Sequence, residues 1–173
     1  MSRDQRKPAA RIPLTGLFGV ALDAMLDDFQ QLLKETEFDD IRPTHGCVFR
    51  FVKEDGMRLT TLAELAGMTK QSVGEVVDDL VARGYVQRIP DPEDRRAKLI
   101  CLTERGEEAQ ATGFGLFGEV EKRWIERYGA DRVAQMRELL EEIAAREAPE
   151  AVPELARPEL AHVQDSSPAA APA

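Results

Sequence analysis

Apolar residues near the start of the chain recur at three- and four-residue steps: Leu14, Leu17, Phe18, Ala21, Leu22, Met25, Phe29, Leu32 and Leu33. That spacing draws one wide face along a helix from Leu14 to Lys34. The acidic run Glu35, Glu37, Asp39 and Asp40 breaks the pattern. Pro43 then suits the first turn of a second helix, Thr44 to about Lys53, with Cys47, Val48, Phe51 and Val52 inward. That helix stops at Asp55-Gly56, and Met57-Arg58-Leu59 is expected to add a short strand to a later hairpin.

The next segment is the most structured reading in the chain. Thr60 is expected to cap a short helix, Leu62 to Ala66, by accepting a hydrogen bond from an unpaired backbone N–H. Gly67 supplies the positive φ that a tight helix–helix corner needs. Thr69 caps a following helix in which Val73, Val76, Val77, Leu80 and Val81 form a buried stripe. Lys70, Gln71, Gly74, Glu75 and Asp78 are left to solvent, and Arg83-Gly84 ends the helix. Tyr85–Ile89 and Lys98–Leu102 read as two strands around a Pro- and Asp-rich loop. Helix, Gly corner, helix and hairpin in this order describe a helix-turn-helix with a wing.

Thr103 opens a long helix to about Tyr128, with Phe114, Phe117, Val120, Trp124 and Tyr128 on one side. Its Gly113, Gly115 and Gly118 each cost about 1 kcal/mol of helix propensity relative to Ala, so a bend or close packing is expected there. A last helix, Asp131 to Arg146, presents Val133, Met136, Leu139, Leu140 and Ile143. The fold class is therefore mainly α with a small β hairpin (α+β), a winged helix-turn-helix carried on a helical dimerisation region. The expected divisions are a flexible arm at 1–11, supporting and dimerising helices at 12–56, the reader at 57–104, dimerising helices at 105–147, and a Pro/Ala-rich disordered tail at 148–173.

Charge complicates the picture. The chain of 173 residues carries a net charge of −9, but residues 58–105 hold 8 Lys/Arg against 8 Asp/Glu. The acidic excess lies mostly outside the reader. Phosphate affinity must come from locally placed cations, and non-specific DNA binding should be weak. Cys47 and Cys101 are too few for a disulfide scaffold and lack metal-site spacing, which makes a reducing cytoplasm the expected setting. No apolar run reaches the roughly 20 residues needed to cross a bilayer. There is no phosphate loop, nucleophile elbow, metal cluster or paired catalytic carboxylate at a telling spacing, so neither an enzyme nor a cofactor is expected.

Two stretches carry candidate chemistry. Lys70, Gln71 and Ser72 follow Thr69 at the start of the second reader helix, where side chains can meet base edges in the major groove. The alternative is an ordinary capped and solvated helix start. At the hairpin tip, Arg95 and Arg96 suit a narrow minor groove, with Asp94 able to hold the Arg96 side chain in line.

Leu62-Ala63-Glu64-Leu65-Ala66, Val73 through Gly84, Asp91-Pro92-Glu93-Asp94-Arg95-Arg96 and Leu102-Thr103-Glu104-Arg105-Gly106 together resemble the MarR family of winged-helix transcriptional regulators. The wing sequence followed by LTERG is the specific part, and the looser match in helix order spans about 12–147. The resemblance implies a homodimer whose first and last two helices interlock. It implies binding to pseudo-palindromic double-stranded DNA, often as a repressor released by a small phenolic or otherwise aromatic ligand. It places Thr69–Ser72 and Glu75 on the recognition helix, Arg96 on the wing with Asp94 as companion, Arg95 near phosphate, and Thr60 at a helix start facing the DNA backbone. Glu75 departs from the family, which often has a basic residue there. It is either a solvated or intrahelically paired charge, or an acceptor for cytosine N4. By helix position His45, Phe49, Phe51 and Trp124 are eligible to line a ligand pocket. The competing readings are a winged-helix protein-interaction module without DNA binding and a redox-sensing regulator acting through Cys47. No membrane partner is expected.

Overall fold

The computed structural model describes residues 11–53, 55–94 and 96–147. All of the arm at 1–11 except Arg11, the tail at 148–173, Glu54 and Arg95 lie outside the described residues. Among the described residues, six α-helices and one three-stranded sheet follow in the order α1 (Leu14–Leu33), a 3-10 turn (Pro43–His45), α2 (Gly46–Phe51), β1 (Met57–Arg58), α3 (Leu59–Leu65), α4 (Lys70–Ala82), β2 (Val86–Pro90), β3 (Lys98–Leu102), α5 (Glu104–Tyr128) and α6 (Ala130–Glu147). Among the described residues no helix is long and apolar enough to cross a membrane.

Both reader helices end in the same way. Gly67 has φ of 62° and Gly84 of 78°, and in each case the two residues past the cap turn their N–H groups back onto carbonyls of the last turn. Met68 donates to Ala63 and Gly67 to Glu64; Tyr85 donates to Leu80 and Gly84 to Val81. This left-handed stop requires glycine to avoid a Cβ clash. The first stop turns α3 into α4, and the second turns α4 into the wing.

The sheet runs β1-β3-β2, all antiparallel, with Met57 opposite Ile100 and Val86 opposite Leu102. Leu62, Val73, Val77, Leu80, Tyr85 and Ile100 pack beneath it with Val48 and Val52 of the α2 segment as one core. A second cluster of Val120, Trp124 and Val133 joins α5 to α6 and α1. Two expected positions differ. Val81, at the end of the α4 stripe, is exposed, while Gly74 is half-buried because its face closes onto Leu59. Thr60 caps nothing: Arg58, extended as a strand residue, leads straight into the helix at Leu59, leaving Thr60 exposed inside the first turn.

Gly106 fixes how the long helix leaves the wing. A Cβ there would run into the Tyr85 carbonyl and also meet Leu102, so the backbones touch only because the side chain is absent. Thr103 accepts from the Gly106 N–H as N-cap and donates its hydroxyl to the Gly84 carbonyl at 2.6 Å. α5 then runs as one helix through Gly113, Gly115 and Gly118, with Gly113 facing Phe29. Gly106→Ala should destabilise the protein by at least the ~1–3 kcal/mol typical of overpacking, since a carbonyl cannot move aside as a side chain can. Urea unfolding followed by circular dichroism measures it.

Asp28 is the buried charge of the helical region. Its carboxylate accepts from the Trp124 indole at 3.0 Å and pairs with Arg127 at 3.0 Å. The Arg127 hydrogen bond, helped by that of Trp124, outweighs burial and holds its pKa below the ordinary value. Because the folded value is the lower, this stabilisation is complete above the unfolded aspartate value of about 3.9 and is lost as pH falls through the folded value. Asp28→Asn should therefore lower stability at neutral pH and make the acid limb of the stability–pH curve shallower.

Candidate functional site

The start of α4 is built as a capped, solvent-facing helix end. Thr69 accepts the Ser72 N–H at 3.2 Å, and its hydroxyl lies 2.8 Å from that of Ser72. Val73, Val77 and Leu80 are fully buried behind it. Lys70, Gln71 and Glu75 stand exposed on the opposite face. The Gln71 amide donates to the Glu75 carboxylate at 3.3 Å. Glu75 thus has a partner within its own helix. One turn on, Asp78 pairs with Arg88 of β2 at 2.6 Å, so the wing strand neutralises a carboxylate on the helix face.

The wing is braced from below. Asp91, only 4% exposed, accepts the Glu93 N–H at 2.8 Å and receives the Arg58 guanidinium through Nε at 2.6 Å and a terminal nitrogen at 2.5 Å. The backbone bond from Glu93, then Arg58, holds the Asp91 carboxyl below its usual range. Beyond it, Asp94 accepts the backbone N–H of Arg96 at 3.0 Å. Asp94 was expected to align the Arg96 side chain. It instead folds the loop backbone, because a two-residue separation suits an Asx-type turn. Arg96 is exposed at the tip. Arg58 and Asp91 escaped the sequence reading: they lie 33 residues apart, and only the short β1 strand brings them together.

Behind the reader lies a cleft of about 560 Å³ between α1, the 41–51 segment, the end of α3 and α5. Phe29, Phe49, Phe51, Phe114 and Phe117 line it with Gly113, and its polar lining includes Arg42, Arg50, Gln30 and Gln110. No lining residue is a carboxylate. Of the residues proposed for a ligand pocket, Phe49 and Phe51 line this cleft. His45 and Trp124 do not: each is buried and engaged elsewhere, His45 with Asp79 of α4 and Trp124 with Asp28 of α1. Cys47 lines the cleft, but burial raises its thiol pKa, as it does that of Cys101. Both shifts disfavour the thiolate that oxidants attack. Among the described residues no group of three His, Cys, Asp or Glu could hold a metal ion.

Asp91→Ala should leave the helices intact but free the wing, lowering affinity for a DNA site by about tenfold, the worth of a charge-assisted hydrogen bond. Faster amide exchange at Glu93 in the variant, beside DNA titration, would distinguish a loosened wing from general unfolding.

The family model described as the MarR family matches residues 39–97, which span the reader from the 3-10 turn to the wing. Over 93 residues the chain is 26% identical to the transcriptional regulator HosA of Escherichia coli O111:H-, covering 54% of this chain and 69% of that protein. Its fold is similar to the reduced form of MarR from E. coli, with a TM-score of 0.70 at 23% identity over 78% of this chain and 98% of that one. It is also similar to CouR from Rhodococcus jostii RHA1 bound to p-coumaroyl-CoA, with a TM-score of 0.62, 26% identity, and 81% and 97% of the two chains covered.

Proposed function

We propose that the chain is a winged-helix transcriptional regulator of the MarR family, whose model it matches over residues 39–97, and that it acts as a homodimeric repressor of a pseudo-palindromic operator, released by a small aromatic ligand. The observation that carries this reading is the joint presentation of α4 and the wing: Lys70, Gln71, Ser72 and Glu75 on one exposed helix start, with Arg96 on a loop braced by Asp91. A helix start of this kind reaches base edges, while a wing arginine suits the adjacent minor groove. Thr60 at the start of α3 and Arg95 beside Arg96 supply further backbone contacts in this reading.

The dimer is supported by apolar side chains that the monomer leaves exposed. Leu14, Leu17, Phe18 and Leu22 of α1 are 47–68% exposed, and Leu139, Leu140 and Ile143 of α6 are 41–56% exposed. Soluble monomers rarely leave so much apolar surface contiguous. Mutual burial of the first and last helices would also set two readers at a fixed separation, which is what an inverted-repeat site requires. Release by a ligand is supported by the apolar cleft directly behind α3, and CouR was solved with p-coumaroyl-CoA bound.

DNA from the chain's own promoter region, titrated across a salt series, tests the reading. A strong preference over random DNA, with affinity that falls as salt rises, is expected; equal affinity for both would favour a protein-interaction module instead. Arg96→Ala should weaken specific binding about tenfold while the dimer mass in sedimentation stays unchanged. Loss of the dimer in that variant would mean that the wing has been assigned the wrong role.

A further inference from the structure

His45 is a buried titratable side chain for which DNA reading itself has no use. Only 2% of it is exposed, and it is the one histidine among the described residues. It joins the 3-10 turn to α4. The backbone N–H of Arg42 is a fixed donor and lies 3.1 Å from Nδ1, so Nδ1 must be an unprotonated acceptor. Nε2 then carries the ring hydrogen and donates it to Oδ2 of Asp79 on α4 at 2.8 Å. The ring is thus held as one neutral tautomer, with each nitrogen spent on a different element. Asp79 is one turn beyond Glu75, so the ring bridges the turn directly to the helix that presents the reading face.

The charges around the ring decide what a second proton would do. On α4 they are Asp79 and Arg83, the latter 3.0 Å from Oδ1 of Asp79 and 3.1 Å from Asp40. At the start of the turn, Arg42 lies 3.3 Å from Oδ2 of Asp79. α2 continues the turn and carries Cys47 and Arg50. That thiol donates to the Thr44 carbonyl at 3.4 Å, and that guanidinium lies 5.0 Å from the Phe51 ring centroid. Burial lowers the His45 pKa against the opposing pull of Asp79, and Arg83 and Arg42 add to the lowering. The unfolded chain therefore takes up the proton first, near the ordinary value of about 6.5, and folding loses stability as pH falls from there to the folded value. Once the folded ring is protonated, Nδ1 becomes a donor facing another donor, the Arg42 N–H, in a site almost closed to water. Two donors cannot satisfy one another, so ring and turn must part.

We propose that His45 is an acid-sensitive latch between the turn at 42–45 and α4, closed while Nδ1 accepts from Arg42 and opened when a proton occupies that nitrogen. Opening removes a tie on α4 one turn beyond Glu75 and lowers affinity for the operator. That consequence rests on the operator-binding reading above, and it adds protons to what controls the reader. Acid makes a chain of net charge −9 less negative, which by itself strengthens attraction to phosphate. The latch acts in the opposite direction.

The full chain is followed from about pH 7.5 to about pH 5 at constant ionic strength, on either side of the ordinary histidine value. Long-range proton–nitrogen spectra of the imidazoles and amide exchange read the latch; fluorescence anisotropy with labelled DNA from the chain's own promoter region reads its effect. The chain has two histidines, so the His45 signals are those that remain in His162→Gln. They should show the Nε2–H tautomer near neutrality and titrate below about 6.5, and protection of the Arg42 amide should fall with that titration. Specific DNA affinity of the wild type should fall about tenfold over the range, the worth of one pKa unit of linkage. His45→Gln retains a donor for Asp79 but cannot titrate, and should show no such fall. A ring already protonated at neutrality, the Nδ1–H tautomer, Arg42 protection that ignores pH, or an equal acid loss in His45→Gln would each overturn the proposal. Spectra and exchange do not use His45→Gln, so they decide the matter even if that variant folds poorly. If the wild type at neutral pH shows no preference for promoter over random DNA, the operator reading fails, while spectra and exchange still decide the latch.

Discussion

The arrangement depends on one crossing, where the chain passes from the reader into the long helix over Tyr85. Tyr85 is fully buried, with Phe38 and Phe49 against its ring at centroid distances of 6.3 and 5.9 Å. Its hydroxyl donates to Asp40 at 2.6 Å, its carbonyl accepts from Thr103 at 3.0 Å, and Gly106 lies directly against that carbonyl. Arg105 sits over the ring at 4.7 Å and reaches the hydroxyl at 3.1 Å. Three parts of the chain meet on this residue: the acidic turn after α1, the junction of α4 with the wing, and the first turn of α5. The reader therefore cannot rotate freely on the helices that carry it. It can change its pose only by moves that keep Tyr85 seated.

That constraint gives the smaller polar ties their significance. Asp79 holds α4 to the edge of the cleft, Arg88 holds the wing strand to Asp78, and Arg58 holds the wing base to β1 through Asp91. Each spends a cation inside the protein, which is why a reader with equal numbers of acids and bases presents so little free positive charge. What faces outward is a short list headed by Lys70 and Arg96. Such a surface discriminates through placement more than through attraction to phosphate, because few counterions are released on binding.

Much of the fold was legible because local chemistry decided it. The helical period of α1, the stripe of α4, and the glycine stops at Gly67 and Gly84 each depend on residues a few positions apart. The wing loop was legible in outline for the same reason. What could not be read were the contacts between distant residues. Arg42 with Asp79, Arg58 with Asp91, and Trp124 with Asp28 join elements that sequence spacing does not bring together. Helix position alone put His45 and Trp124 at the cleft. Each instead turns toward a carboxylate, because a buried imidazole or indole N–H left without an acceptor would cost more than the apolar contact could return. Thr60 failed as a cap for a local reason: a strand residue immediately before a helix already supplies the extended backbone that a cap residue normally provides.

The two halves of the molecule differ in how completely they are finished. Around Tyr85 the core is closed, whereas the outer faces of α1 and α6 carry leucines open to solvent. That open apolar face is the surface the proposed dimer would bury. The cleft lies between these two regimes, walled by α1 and α5 on one side and by the reader's own α3 on the other. Any molecule that wedges there acts on the relation between the α1/α5 wall and the reader. The cleft of about 560 Å³ thus opens at the joint between assembly and reader.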